Sequence, residues 1–586
     1  MCGIVGFLDS SFTKETATDI LGKMACAILH RGPDDMGVWF DENAQIGLGH
    51  RRLSIVDLSP AGHQPMASSH GRFEMAFNGE IYNHLKLRAE LKQKGAIEWR
   101  GHSDTETLLA GFEAWGIEAT IKKSIGMFAI AVWDNQNQTL TLIRDRMGEK
   151  PLYYGWHNGS LIFGSELRAL KQHPLFIPRV DRNALTLLLR YNTIPTPYSI
   201  YEGIGKLPPG CLLTVQLGEK EGVLTTYWSG IEAVENGVTN RFKGSADEAV
   251  NGLESLLMDA VGQQMMADVP LGAFLSGGVD SSAIVALMQA QSANKVKTFS
   301  IGFHEKGYNE AEFAKEVARH LGTEHTELYV TAQDALEVVP SLPKLYDEPF
   351  SDSSQIPTYL VSKMAKQHVT VTLSGDAGDE LFGGYSRYTM TDGLWHKLSK
   401  VPLELRKLLG LGISAISTET LNSVLSLTPL ASRYANIGDK LHKGANVLGS
   451  KNISELYMGM VSHERNPESW ILNSHEPEIL STGSTSLFNG LNPIETMMAL
   501  DMLTYLPNDI LTKVDRAAMG VSLETRVPFL DHRVVEFAWS LPLEYKLRNG
   551  VGKWALREVL YKHVPKSLID RPKMGFGVPL EEWLRW

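Results

Sequence analysis

Between Val269 and Leu373, short apolar runs alternate with amphipathic helical segments, and this alternation limits the folds open to the chain. A strand ending at Leu275 leads into a helix to about Ala293. The strand KTFSIGF (297–303), a helix over 309–322, the strand EHTELYV, a further helix and the strand HVTVTL (368–373) follow. Near-continuous apolar strands between helices predict a parallel sheet covered on both faces. Ligands on such sheets bind at the carboxyl ends of the strands. SGGVDSS (276–282), SIGF (300–303) and LSGDAGDELFGGY (373–385) all sit at such ends.

The N-terminal 210 residues read differently. MCGIVGFL, IGLGHRRLSIVD, FEMAFNGEIYN, FAIAVWD, LTLIRDR, LYYGW and LIFGSE predict short strands, with helices over 14–29, 82–93 and 104–115. That set predicts an α+β domain of two stacked antiparallel sheets between helices. KLPPGCLL and the aperiodic stretch after it predict a linker over 211–245, and a helix from Ala246 opens a second, α/β domain over 246–586.

The net charge of −11 argues against nucleic acid and anionic membranes as partners. Three cysteines in 586 residues make no disulfide framework and point to a reducing cytoplasm. No apolar run approaches the ~18 residues of a membrane span, and no signal peptide is visible.

Cys2 offers a thiol and, once Met1 is removed, an adjacent α-amine. Such an amine titrates near pH ~8 and can act as a base for the thiol. The plainer reading makes Cys2 a small residue leading into the first strand. HRGPD (30–34), RLSIVD (52–57), NGEIYN (78–83) and GHSDTE (101–106) follow at strand ends. Each is compatible with a turn or cap, and Asp104 can simply cap its helix. Together they supply the groups that an amino-acid substrate needs. Arg52 can hold an α-carboxylate bidentately, and Glu80 and Asp104 can hold an α-ammonium. Asn78 and Gly79 can form an oxyanion hole. With a thiol, that set suits hydrolysis of the glutamine amide through a thioester.

In SGGVDSS, two glycines and a helix N-terminus form an anion cradle suited to pyrophosphate. Asp280 would hold Mg²⁺ against the phosphates. The acids of LSGDAGDELFGGY suit Mg²⁺ ligation and orientation of an electrophile; a structural Ca²⁺ loop is the rival reading, without the spacing of an EF-hand.

In this order, MCGIVGF, HRGPD, RLSIVD, NGEIYN and SDTE resemble the N-terminal-nucleophile (Ntn) glutaminase domain of class II amidotransferases. SGGVDSS resembles the pyrophosphate loop of the ATP-pyrophosphatases. With LSGDAGDELFGGY, LTKVDRAAM, SLETRVPFLD and GKWALRE, the whole chain resembles the glutamine-hydrolysing asparagine synthetases. The resemblance implies Cys2 as nucleophile, with Asn78 and Gly79 as oxyanion hole. It implies Arg52, Glu80 and Asp104 as glutamine clamps and Leu53, Ser54, Ile55 and Val56 as backbone lining. In the second domain it implies pyrophosphate binding by Ser276, Gly277, Gly278, Asp280, Ser281 and Ser282. Phe274 or Leu275, Ile301, Ser374 and Gly375 would surround the adenosine and AMP. Asp280 and Asp379 would hold Mg²⁺, Lys553 would stabilise charge on the phosphates, and Asp376 would assist the acyl-adenylate. The implied substrates are glutamine, ATP and aspartate, in a cytoplasmic homo-oligomer, expected to be a dimer, with a shielded ammonia path. The primary-metabolism enzymes carry Glu where this chain has Asp376, so another carboxylate, such as a uronic acid of a surface polysaccharide, is the alternative acceptor. A stand-alone hydrolase and a non-catalytic scaffold are the rival classes; intact Cys2, SGGVDSS and Asp379 argue against them. Relatives often continue beyond the position of Trp586, so the C-terminus is expected to be truncated here.

Overall fold

The computed structural model describes residues 2–8, 12–93, 95, 98–305, 309–418, 420, 422, 441–442, 444–445, 447–480, 490–571 and 579. Residues 572–578 and 580–586, the C-terminal end of the chain, therefore lie outside the described residues.

The N-terminal region forms two six-stranded sheets, each antiparallel throughout. The first runs Ile204–Lys206, Tyr153–His157, Ser160–Gly164, Gly3–Leu8, Ile46–Arg52 and Asp35–Asp41. The second runs Val223–Thr226, Cys211–Gln216, Thr139–Arg144, Gly126–Asp134, Phe73–Ile81 and Met66–Ala67. Ile4 and Leu48 of the first sheet share a buried cluster with Ala76, Ala129 and Trp133 of the second. The two inner faces thus make one core, as expected for stacked sheets. The helix Lys14–Ala27 covers the outer face of the first sheet with Ala17, Ile20, Leu21 and Met24, a helical spacing that lays one apolar stripe on the strands. The helix Asp104–Trp115 is capped by Ser103, whose hydroxyl accepts from the Glu106 amide.

The segment expected as a linker is structured. Cys211–Gln216 pairs with Thr139–Arg144, Val223–Thr226 extends that sheet, and Gly230–Thr239 is a helix. The outermost strand is exposed along its whole length, so no buried face left an alternating pattern to read. RLSIVD also divides: the strand stops at Arg52 and the rest is loop.

The second region carries a five-stranded parallel sheet in the order Glu324–Val330, Lys297–Phe303, Leu271–Phe274, Val371–Leu373 and Glu524–Arg526. The predicted alternation sets four of these strands. The fifth comes from SLETRV, some 150 residues on, read in sequence only as a turn after a helix. Upstream of it, Asp501–Ile510 is a π-helix containing Pro507. Proline lacks the amide that a regular helix needs, and wider turns absorb the gap.

One apolar cluster fills this domain and continues into the other. Leu53, Ile55, Tyr82, Met127 and Met147 pack with Val261, Leu275, Met519 and Leu530. No described helix is long and apolar enough to cross a membrane.

Candidate active sites

Cys2 enters the first strand at the edge of the two-sheet core and is 7% exposed. Its backbone N–H donates to Asn78 Oδ1 at 2.9 Å, and its Sγ lies 3.9 Å from the Leu53 carbonyl. Burial pushes the thiol up to about 11, so reaction at neutral pH requires a base at the thiol. Asn78 is fully buried, and with Oδ1 engaged its Nδ2 has no hydrogen-bond partner among the described residues. A buried donor left unpaired costs ~1–3 kcal/mol, which an incoming oxyanion would recover. Gly79 leaves no room for a side chain: a Cβ there would lie 2.1 Å from the Met127 carbonyl oxygen.

The two acids sit on the same side. Asp104 accepts from the Ile81 and Thr105 amides, both at 2.8 Å, yet burial raises its carboxyl to about 6. Burial and the neighbouring Asp104 push Glu80 well above the ordinary carboxylate range. An ammonium group between them would relieve both penalties. Arg52 donates to the Asp57 and Ser59 carbonyls, which fix its guanidinium. Of the RLSIVD loop, Leu53 and Ile55 are buried, while Ser54 donates its amide to Asp34.

The loop reaches the other domain. The Ile55 carbonyl accepts from the Asp268 amide at 2.9 Å, and Asp268 Oδ2 accepts from Asp57 N and pairs with His102. Arg526 sends Nη2 to 3.7 Å from Glu80, while its carbonyl accepts from the Ser374 amide at 2.8 Å. Sequence reasoning assigned no role to Arg526, Glu524, Asp268 or Arg31. Arg31, Glu524 and Arg526 stand inside quoted motifs, but the partners that tie Arg31 to Asp515 and Arg526 to Glu80 lie hundreds of positions away.

The second site is a cavity of about 820 Å³ at the carboxyl ends of the parallel strands. Phe274, Leu275, Ser276, Gly277, Gly278, Asp280, Ser281, Ile301, Ser374 and Gly375 all line it, as do Asp376, Asp379 and Lys553. Ser282 does not. It is fully buried one turn into the helix Val279–Gln291, behind the loop. Gly277 has φ +70°, and a Cβ there would lie 2.7 Å from the Ala314 amide nitrogen, so the turn requires glycine. The Ser276 amide donates to Ser281 Oγ at 3.1 Å, and this bond holds the loop's shape.

Lys553 opens the helix Trp554–Tyr561 with φ +63°. Its ammonium lies between Asp280 and Asp379, 2.7 Å from Asp379 Oδ1 and in contact with Asp280 Oδ2. The two acids hold the lysine above its ordinary range against the opposing effect of burial. Residues 273 positions apart in sequence thus converge on one point. Two carboxylates facing a phosphate loop are the donor set Mg²⁺ uses when substrate phosphates and water complete its shell. The residues present fit that ion. No cluster of three or more metal-type ligands occurs among the described residues, so this is not a self-sufficient protein cage. Asp376 Oδ2 accepts from Ser374 Oγ at 2.5 Å, and burial raises its carboxyl.

A cysteine buried at the head of an antiparallel two-sheet domain sits against a parallel-sheet domain whose cavity holds a glycine loop and two acids on one lysine. The arrangement is that of a glutamine amidotransferase domain joined to a synthase domain. Residues 1–228 match the glutamine amidotransferase domain family and residues 252–585 match the asparagine synthase family. Asparagine synthetase [glutamine-hydrolyzing] 1 of Bacillus subtilis is 34% identical over all of this chain and 88% of its own length. Asparagine synthetase [glutamine-hydrolyzing] 3 of the same organism is 30% identical over 98% of this chain and 87% of its own. The chain belongs to the asparagine synthase family of glutamine-hydrolysing ligases, which use ATP and glutamine to amidate a carboxylate.

Proposed function

We propose that the chain converts L-aspartate to L-asparagine, with glutamine as nitrogen donor and ATP split to AMP and pyrophosphate. The observation that carries this reading is the convergence of Lys553, Asp280 and Asp379 beside the phosphate loop.

In the first reaction Cys2 is the nucleophile, with residues 1–210 as the glutaminase domain. The α-amine freed by loss of Met1 takes the thiol proton, directly or through water, and the thiolate attacks the glutamine amide carbon. Asn78 Nδ2 and the Gly79 amide stabilise the oxyanion. Arg52 holds the α-carboxylate, and Glu80 and Asp104 hold the α-ammonium. Leu53 to Val56 line the pocket. Ammonia leaves, and water hydrolyses the thioester to glutamate.

In the second reaction, within 246–586, a carboxylate oxygen of the acceptor attacks the α-phosphorus of ATP and pyrophosphate departs. Ammonia then attacks the acyl carbon and AMP leaves. Ser276 to Ser281 cradle the pyrophosphate, and Ser282 supports them from behind. Phe274, Leu275, Ile301, Ser374 and Gly375 surround the adenosine and AMP. Asp280 and Asp379 would hold Mg²⁺, which neutralises phosphate charge when bound. Lys553, displaced from the two acids, would turn to the phosphates, and Asp376 orients the acyl-adenylate. The apolar seam through Ile55, Met127 and Leu275 supports a shielded path that keeps ammonia unprotonated between the sites. Three free cysteines fit a cytosolic enzyme.

The test is pyrophosphate release by the purified protein with glutamine, ATP, Mg²⁺ and a panel of carboxylates. Release with aspartate and formation of asparagine support the reading. Release with a hexuronic acid or its nucleotide conjugate, and none with aspartate, overturns it.

A further inference from the structure

The synthase cavity has a second cationic feature that the chemistry above leaves unused. Arg387 lines it, together with Tyr385 and Tyr505. Its guanidinium is fixed on several sides. Nη2 donates to Asp501 Oδ2 at 2.6 Å. The guanidinium carbon lies 4.1 Å from the Tyr385 ring centre and 5.0 Å from that of Tyr505. Asp501 Oδ2 is shared: the Tyr388 and Tyr457 hydroxyls also donate to it, each at 2.6 Å. One carboxylate divided among three donors does not saturate a five-donor guanidinium. Arg387 Nε is buried and has no hydrogen-bond partner among the described residues.

The other cations of the cavity are tied at one or more nitrogens: Arg557 donates to the Gly552 carbonyl and Asp570, and Arg571, like Arg387, has one buried nitrogen, Nη1, without a hydrogen-bond partner among the described residues. Lys553 sits between its two acids, and Lys513 is held by Asp352 at 2.6 Å and Ser354 at 2.8 Å. Arg571 donates to the Ser276 and Gly277 carbonyls at the nucleotide end. Arg387 is also close to the chemistry. A Cβ on Gly384 would lie 2.0 Å from both Asp379 Oδ1 and Lys553 Cε, so Gly384 touches the reaction centre. Three residues of chain reach at most ~11 Å.

We propose that Arg387 binds a second carboxylate of the acceptor, the one that is not amidated, so that the synthase site selects dicarboxylic acceptors. The inference rests on the reading that this cavity adenylates a carboxylate. Arginine suits the task because its planar fork meets a carboxylate bidentately. The tyrosine faces hold the plane still, which lowers the ordering cost of binding. A hexuronic acid, with one carboxylate, would leave Arg387 without its anion.

The test uses the full-length protein with ammonium chloride as nitrogen donor, so that the glutaminase site is not needed. Acceptor-dependent pyrophosphate release is measured for wild type, Arg387→Gln, Arg387→Lys and Tyr388→Phe. The expected result for Arg387→Gln is an aspartate KM raised about 30-fold, about 2 kcal/mol for a lost charged hydrogen bond. The KM for ATP and ATP-independent glutamine hydrolysis stay unchanged. Arg387→Lys recovers part of the affinity. Tyr388→Phe removes one donor to the shared Asp501 carboxylate, tightens its hold on Arg387, and raises the aspartate KM less than Arg387→Gln does. If aspartate is a substrate but Arg387→Gln loses kcat or melting temperature with its aspartate KM unchanged, Arg387 is a structural tie and the inference falls while the reading stands. If another dicarboxylate is the substrate and its KM rises in Arg387→Gln, the inference stands and the aspartate reading falls. A wild type active only with a single-carboxylate acceptor overturns both.

Discussion

Arg31 ties Cys2 to Asp515. Its Nε donates to the Cys2 carbonyl at 3.1 Å, and its two terminal nitrogens donate to the Asp515 carboxylate at 2.8 and 3.0 Å. All three residues are buried. The backbone at Cys2 is thus tied to the helix Leu511–Met519 of the second domain. Glu166 accepts from the same guanidinium at 2.9 Å. Arg31 counters the effect of burial on Asp515 and keeps it below the usual carboxylate range.

Arg31→Met is expected to cost ~1–3 kcal/mol, because it leaves the buried Asp515 with only Lys150 at 3.7 Å and Arg516 at 4.0 Å, while Glu166 keeps Arg516 and Arg168. Glutamine-dependent synthesis should fall more than ammonia-dependent synthesis, since Cys2 loses its backbone anchor. Thermal unfolding and the two synthesis rates measure this. Equal losses with both nitrogen donors would contradict the coupling.

Cys2→Ala should abolish glutamine hydrolysis and leave ammonia-dependent synthesis intact, because the second site lies on other elements. Intact mass of the active wild type should show Met1 removed. A glutamine-active protein that retains Met1 would contradict the role of the α-amine.

Asp280→Asn and Asp379→Asn should each remove pyrophosphate release and spare glutamine hydrolysis. Each leaves Lys553 with a single acid and removes one carboxylate from the Mg²⁺ set. Wild-type pyrophosphate release in either variant would refute the role.

Asp376→Glu should lower synthesis rather than raise it. Asp376 is half-buried at the cavity wall and bonded to Ser374, and the loop turns at Ala377 with φ +71°. An added methylene carries the carboxylate away from the Ser374 hydroxyl and into the cavity. Steady-state pyrophosphate release reads the change, and a faster variant would show that the loop is not fitted to Asp.

Glutamine kcat/KM should fall as pH drops through about 6, where Asp104 gains its proton and no longer attracts an ammonium. Asp104→Asn should lower activity at neutral pH and flatten that limb. For stability the sign is opposite. Ionising a carboxyl whose folded value is raised opposes folding, so this group favours the fold most below about pH 4 and loses that advantage as pH rises through about 6. An unaltered acid limb in the variant would assign the titration to another group.

What the sequence alone determined was local. The βα alternation specified the parallel sheet, and SGGVDSS specified a glycine turn that leads into a helix at a strand end. The strand-end motifs placed Cys2, Asn78, Glu80 and Asp104 on neighbouring loops and strands. These features act within a few residues of one another, so spacing carries them. The tertiary structure decided the rest: Arg31 meeting Asp515, Arg526 joining Glu80 to the Ser374 loop, Lys553 between two acids, Arg387 among its tyrosines. It also moved 211–226 from linker to sheet edge, where an exposed strand leaves no periodic pattern, and put Ser282 behind the loop. Ion pairs and cavities depend on distance through space and on burial, which falls steeply with a few ångströms of displacement. A spacing of hundreds of residues encodes neither, and only the packing of the two domains supplies both.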